Sequence, residues 1–369
     1  MPESQSITLI CDPLLSEYGP LRPAILIADR FRKVGKKITI VSTTISPKLQ
    51  NKLDSMGIQT VNLQKEPFLK KNESIAWLEE WMREAAFCLN SNSIRKVDGT
   101  ILNFSNTLCF PSHAWYALGP PTVTLNNMKK QLPLHYKITY LVISPILKIL
   151  DKTLTRKIGN CSKYVVAGSV YLSSIYKEFG VHVNSIIYPP LDCNQFKPKT
   201  SNPSEDFVLT YFGKEAIFSL LKLVLDRGIK VKAFGGKLSL APKKIREHHN
   251  LDFLGKIDDA KLIDLYSHAL FTLYPFTDEP VGYIPIESMA CGTPVLTFNK
   301  HGPKETIKNG ETGWLANNDS ELLELALRIW NDGYPKVLRK NCTASAQKYD
   351  VDVIADQWSK LVNDAHVGT

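Results

Sequence analysis

EPVGYIPIESMACGTPVLTFNKHGPKET, residues 279–306, follows the short apolar run LFTLYP and reads as loop, helix, strand and turn. Glu279, Pro280 and Gly282 lie in the loop. Pro285 suits the first turn of a helix that carries Glu287. That helix ends at Cys291 and Gly292, where glycine suits a left-handed cap, and PVLTF restarts a sheet. A glycine just before a helix leaves backbone N–H groups free for an anion, and the expected anion is a diphosphate. Two carboxylates beside a diphosphate would repel it unless they face hydroxyl groups. Each can accept two hydrogen bonds from a vicinal diol, one from a sugar and the other from a ribose. The ligand read from these residues is a sugar nucleotide.

Working outward, strands and helices alternate along the chain. SITLICD, KITIVS, GTILNFS and PTVTLN read as strands, and AILIADRFRKVG and ESIAWLEEWMREAAFCL as helices. FPSHAWYALG reads as an aromatic-rich helix. KYVVAGS and NSIIYPP close this first series. The polar stretch LDCNQFKPKTSNPSED (191–206) reads as a linker. A second series runs from DFVLTYFG through KVKAFGG, LDFLG, LFTLYPF and TPVLTF to GWLA, and two helices end the chain. The expected fold is α/β, with two Rossmann-like doubly wound domains facing across a cleft. Their expected bounds are 1–195 and 205–349, with a last helix at about 350–369 packing back on the first.

Composition agrees with two globular domains. The chain has 369 residues, of which 44% are hydrophobic and 22% charged, and that length is enough for two cores. A formal charge of +9 favours anionic partners. The chain has no zinc-finger spacing, RNA-binding strand motif or long basic block, which argues against nucleic acid. Seven scattered cysteines without a C-x-x-C pair read as reduced thiols. MPESQSITLICDP does not resemble a secretory leader, so the expected location is the cytoplasm. The most apolar stretch, 138–150, is shorter than the ~20 residues that a spanning helix needs. KKQLPLHYKITYLVISPILKILDKTLTRKIGNCSKY (129–164) combines apolar residues with many cations and suits peripheral contact with an anionic membrane face.

The 279–306 stretch resembles the C-terminal signature of glycosyltransferase family 4 (group 1), a family of retaining enzymes of the GT-B fold. Shared features are a Glu, seven residues, a second Glu, then a small-residue helix, C-G-T-P-V and a G-P-x-E-T-like turn. VVAGSVYLSSIYKEFGVHVNSIIYPPLDCNQF, with its Y-P-P-x-D-x-x-x-F pattern, and FLGKIDDAKLIDLYSHALFTLYP extend the resemblance. It covers about residues 160–316.

The resemblance implies that Glu279 contacts the transferred sugar and Glu287 the ribose. It also implies that amides around Val281, Gly282 and Tyr283 meet the phosphates or the sugar. Family members place an Arg after the glycine of the second domain's first strand and a Lys five residues later. Here Gly213 is followed by Lys214, and the later position is Ser219, a departure from the pattern. Such enzymes use no metal or other cofactor, so cations must offset the charge on the leaving diphosphate. Lys214 can do so in part as a point charge. Lys237 in FGGK and Arg22, in the EYGPLRP loop with Gly19, are candidates for the rest.

Related enzymes often have a His at the end of the strand read as PTVTLN, where this chain has Asn126, which is no base near neutral pH. His113 is a nearby alternative. The implied reaction is front-side transfer of a hexose-type sugar, with retention, from a UDP- or GDP-sugar to a glycan or to a polyprenyl- or glycolipid-linked acceptor. Alternatives are a non-catalytic sugar-nucleotide-binding protein and a sugar-nucleotide epimerase.

Overall fold

A computed structural model describes residues 6–15, 21–63, 81, 99–128, 134–201, 203–213, 216–276 and 279–363. The described residues form two compact units: those from 191 to 350 make the second, and those up to 190 together with those from 351 onward make the first.

The first unit runs β1 (Ser6–Cys11), α1 (Arg22–Lys33), β2 (Lys37–Ser42), α2 (Pro47–Ser55), β3 (Gln59–Asn62), β4 (Thr100–Asn103), β5 (Ser112–Ala117), α3 (Pro121–Met128), α4 (Leu134–Asn160), β6 (Ser162–Ala167), α5 (Val170–Glu178) and β7 (Ser185–Ile186). Its strands are parallel, in the order β3-β2-β1-β4-β5-β6-β7. Strands from the centre of a parallel sheet are covered on both faces and so read as apolar runs, and Ile7, Leu9 and Ile10 of β1 are fully buried.

The second unit runs β8 (Val208–Tyr211), α6 (Phe218–Asp226), β9 (Val231–Phe234), α7 (Lys243–Arg246), β10 (Leu251–Gly255), α8 (Asp259–His268), β11 (Thr272–Tyr274), α9 (Tyr283–Ala290), β12 (Val295–Phe298), α10 (His301–Thr306), β13 (Gly313–Ala316), α11 (Asp319–Asp332) and α12 (Val337–Ala346). Its sheet is also parallel, in the order β10-β9-β8-β11-β12-β13. Helix starts follow local chemistry. The Asp258 and Asn318 side chains accept the backbone N–H of Lys261 and Glu321 at the heads of α8 and α11, each satisfying an otherwise orphaned donor. Both units are doubly wound α/β folds.

The last helix, α13 (Val351–Asn363), belongs to the first unit. Its Ile354, Trp358 and Val362 are buried among Ile27, Phe31, Phe104 and Tyr116. The Trp358 ring lies 5.2 Å from both Phe104 and Tyr116, nearly perpendicular to the latter, in edge-to-face geometry that aromatic quadrupoles favour. Arg30 of α1 pairs with Asp352.

The structure corrects two sequence expectations in the first unit. SHAWYA is strand β5, paired with β6 through Ala114 and Tyr164. Its aromatic residues are core groups whose polar tips find carbonyls: the Trp115 indole donates to Ser105 and the Tyr116 hydroxyl to Ile187. PTVTLN, rich in β-branched residues, is helix α3 instead of a strand. Pro121 can occupy a first turn, where it forfeits no hydrogen bond, and buried Asp151 accepts the Thr122 amide at 2.8 Å as well as the Thr122 hydroxyl. Tertiary capping overrides the intrinsic strand preference. The stretch read as a linker packs into the second unit: Leu191 and Phe196 are fully buried, and the amides of Leu191 and Cys193 bond Tyr349 and Asp350. Of the helix expected at 73–89, only buried Trp81 lies inside the described residues.

Candidate functional site

In an open parallel sheet, the loops beyond the strand carboxyl ends part where the strand order turns, and ligands bind there. In the second unit that point lies between β8 and β11. Buried Gly213 lies just beyond β8, and the loop carrying Glu279 follows β11. The next loop outward, beyond β9, carries Lys237, half-buried at the head of a short helical turn. Lys300 and His301 follow β12 on the other side. Four of the unit's strands therefore deliver glycine, cations and a carboxylate to one edge.

Glu279 is held from two sides. The Tyr274 hydroxyl donates to its Oε2 at 2.9 Å, and the Gly282 amide donates to its Oε1 at 3.1 Å. Tyr274 is itself fixed by stacking on Phe276, 4.1 Å away and only 10° from parallel. Gly282 has φ +87 and precedes the first turn of α9, a left-handed conformation that costs any residue with a Cβ. The carboxylate thus caps α9 from one turn upstream, as N-terminal capping chemistry favours.

The loop is braced from above by α10. Gly302 donates its amide to the Glu279 carbonyl at 3.0 Å. A Cβ on Gly302 would stand 2.4 Å from the Pro280 oxygen, so only glycine allows this approach. His301, its neighbour, has φ +54, one of two non-glycine residues with positive φ among the described residues.

Glu287 lies one helix deeper. It is buried on α9, and the Tyr266 hydroxyl donates to its Oε2 at 3.3 Å. Below it, Ser288 exchanges a 2.7 Å hydrogen bond with Thr272 of β11 and donates to the Thr293 carbonyl, which pins α9 to the sheet. The helix ends as expected, with Gly292 at φ +82. Burial pushes the Cys291 thiol well above its ordinary range, so it stays an inert protonated group. Val281 is buried and Tyr283 half-buried at the head of α9.

Lys214 and Gly19 lie outside the described residues. Arg22 opens α1, beyond the carboxyl end of β1. Ser219 is exposed on α6. Asn126 is half-buried on α3 and so not at a strand end. His113 stands at the amino end of β5, where its Nε2 lies 2.9 Å from the Leu361 carbonyl and its ring packs edge-on against Tyr164. That is the opposite edge of the sheet from the carboxyl ends, and a packing position. No group of three or more His, Cys, Asp or Glu side chains suited to a metal occurs among the described residues.

Sequence reading missed a polar knot at the corresponding turning point of the first unit, between β1 and β4. Buried Asp12 accepts hydrogen bonds from the Ser105 hydroxyl, from the Thr107 hydroxyl at 2.8 Å and from the Asn106 amide at 3.1 Å. Burial raises its pKa, while these bonds pull it down. Only the position of Asp12 at the end of a strand hinted at it.

Comparisons with known proteins bear on the second unit most directly. Residues 218–349 match the family described as glycosyl transferases group 1. The chain is 34% identical over 202 residues to a probable sucrose-phosphate synthase of Thermosipho melanesiensis, covering 50% of this chain and 46% of that one. It spans half or less of the length of the first curated relatives it matches. Among solved structures, sucrose-phosphate synthase from Thermosynechococcus elongatus superposes with a TM-score of 0.74 at 18% identity, over 99% of this chain and 100% of that one. HepE of Anabaena, solved in complex with UDP, gives 0.71 at 17% identity, over 97% and 99%. The likeness in fold spans both units, and the resemblance to group 1 glycosyltransferases read from the sequence holds.

Proposed function

We propose that this chain, with its GT-B fold and its group 1 glycosyltransferase match over residues 218–349, is a metal-independent retaining glycosyltransferase. It moves a hexose-type sugar from a UDP- or GDP-sugar to a glycan or lipid-linked acceptor. The observation that carries this reading is the carboxylate of Glu279, held by Tyr274 and Gly282 at the head of α9.

Donor binding would exchange partners at the head of α9. The Glu279 carboxylate accepts the Gly282 amide. An arriving diphosphate takes amides at the head of α9, which carry the positive end of the helix dipole, and Glu279 turns to accept sugar hydroxyls. Glu287, already fixed by Tyr266, accepts the ribose hydroxyls.

In the transfer step, the bond from the anomeric carbon to the diphosphate oxygen breaks as the acceptor oxygen bonds the same face of that carbon. The acceptor proton passes to the departing phosphate oxygen. The charge left on the diphosphate is offset by Lys214 and Lys237 as point charges.

One observation favours a second reading, a binding protein without turnover: exposed Ser219 stands where the family places a basic diphosphate contact. A thermal-shift screen of UDP, GDP, ADP and their sugar conjugates without added metal tests the donor site, because a ligand that binds only the folded state raises its melting point. A shift with one nucleotide class supports the site, and no shift with any removes it. Donor hydrolysis or transfer then separates enzyme from binding protein, and product analysis without acceptor separates both from an epimerase.

A further inference from the structure

Helix α4 changes character at Asp151. Beyond it the helix is ordinary: Leu154 and Ile158 are buried while Thr153, Arg156 and Asn160 face solvent. Before it the pattern inverts. Ile138, Leu141, Val142, Ile146 and Ile149 are 56, 72, 71, 62 and 68% exposed, and the inward positions are Tyr140 and the half-buried Ser144 and Leu147. A helix in water turns its apolar stripe to the core, and a contiguous exposed patch of this kind marks an interaction surface.

We propose that the first half of α4 docks into the interfacial layer of an anionic lipid bilayer. The helix carries Lys137, Lys148, Lys152, Arg156 and Lys157, and its one acidic residue, Asp151, is buried and engaged by Thr122 and Thr155. Aliphatic residues flanked by exposed cations and no exposed acid complement an acyl boundary beneath anionic headgroups. They do not complement a second copy of the same basic face.

The backbone is also prepared for an apolar surrounding. Pro145 has no N–H to donate to the Leu141 carbonyl, and the Ser144 hydroxyl donates to that carbonyl instead, at 3.2 Å. A carbonyl left bare in lipid would be costly. No helix among the described residues is long and apolar enough to cross a membrane, so α4 would lie on the surface.

The docking rests on the helix alone, and only its use in meeting a lipid-linked acceptor rests on the transferase reading. Sedimentation of the full chain with vesicles of mixed phosphatidylglycerol and phosphatidylcholine, against phosphatidylcholine alone, tests it. The expected result is at least tenfold stronger partition to the anionic vesicles, weakened by added salt. Leu141→Asn with Ile146→Asn should lower that partition at least tenfold, with melting temperature and nucleotide-induced thermal shift unchanged. Equal partition of variant and parent, or no binding of the parent, would overturn the proposal. So would light scattering that finds a dimer which the variant dissolves, since the face would then seat a second copy. A lost nucleotide shift in the parent would instead count against the donor site and leave the docking result intact.

Discussion

The carboxylate of Glu279 accepts the backbone N–H of Gly282 at 3.1 Å, so the side chain proposed to meet the sugar bonds an amide proposed to meet the phosphate. On the proposed function, donor binding exchanges the hydrogen-bond partners of Glu279. Glu279→Ala is expected to lower the transfer rate at least 100-fold, about 2.7 kcal/mol of lost transition-state stabilisation, while the lost helix cap lowers stability by about 0.5–2 kcal/mol. Initial rates on a purified, folded variant check this, and parent-like activity would remove Glu279 from the site.

The Tyr274 hydroxyl donates to that carboxylate. Tyr274→Phe keeps the stack on Phe276 and deletes one hydrogen bond, worth about 1.5–3 kcal/mol to a charged group. A tenfold or greater fall in kcat, with nucleotide affinity held within a few-fold, is the expected outcome. Equal losses with and without the sugar on the nucleotide would show that the tyrosine supports the loop generally.

Gly302→Ala places a methyl against the Pro280 oxygen, where backbone faces backbone. Neither partner can yield as a flexible side chain would, so the loop must shift at a cost of about 1–3 kcal/mol. Denaturant unfolding should register the loss and the nucleotide thermal shift should shrink with it. Stability within 0.5 kcal/mol of the parent, the spread of a typical surface substitution, would mean that the contact is looser than the structure describes.

Asp12 supplies a pH prediction. Its folded pKa is raised by burial, above an unfolded value of about 3.9, so the folded state binds the proton more tightly. Its contribution to stability is therefore greatest below that value and is lost as pH rises through the folded pKa. Against Asp12→Asn, which stays uncharged, the parent should lose relative stability as pH rises above about 4. Unfolding free energies of both proteins across that range check the sign, and a relative gain would refute it.

The second unit was legible because its site is local: loop, glycine, helix and strand follow one another within 279–306, and each start or stop has a nearby chemical cause. The first unit was less so. SHAWYA and PTVTLN exchanged their expected states because the partners that decide them, the β6 strand and Asp151, lie far along the chain. The Asp12 knot joins residues more than 90 positions apart, beyond any spacing rule. The cations and aliphatics of α4 were visible as composition, but which of them face outward depends on where Asp151 is tied. The positive φ of His301 and its place beside the Glu279 loop had no signal in the residue types.

Trp358 fills the core of the first unit although the whole second unit separates it from β7. A ribosome making this chain delivers residues 1–190 long before the side chain that completes their core. The core of the first unit stays incomplete until α13 emerges, while the second unit has all its residues before then. A fragment cut after Pro190 should therefore behave as a partly collapsed species that binds hydrophobic dyes, and adding a peptide of residues 351–369 should quench that signal.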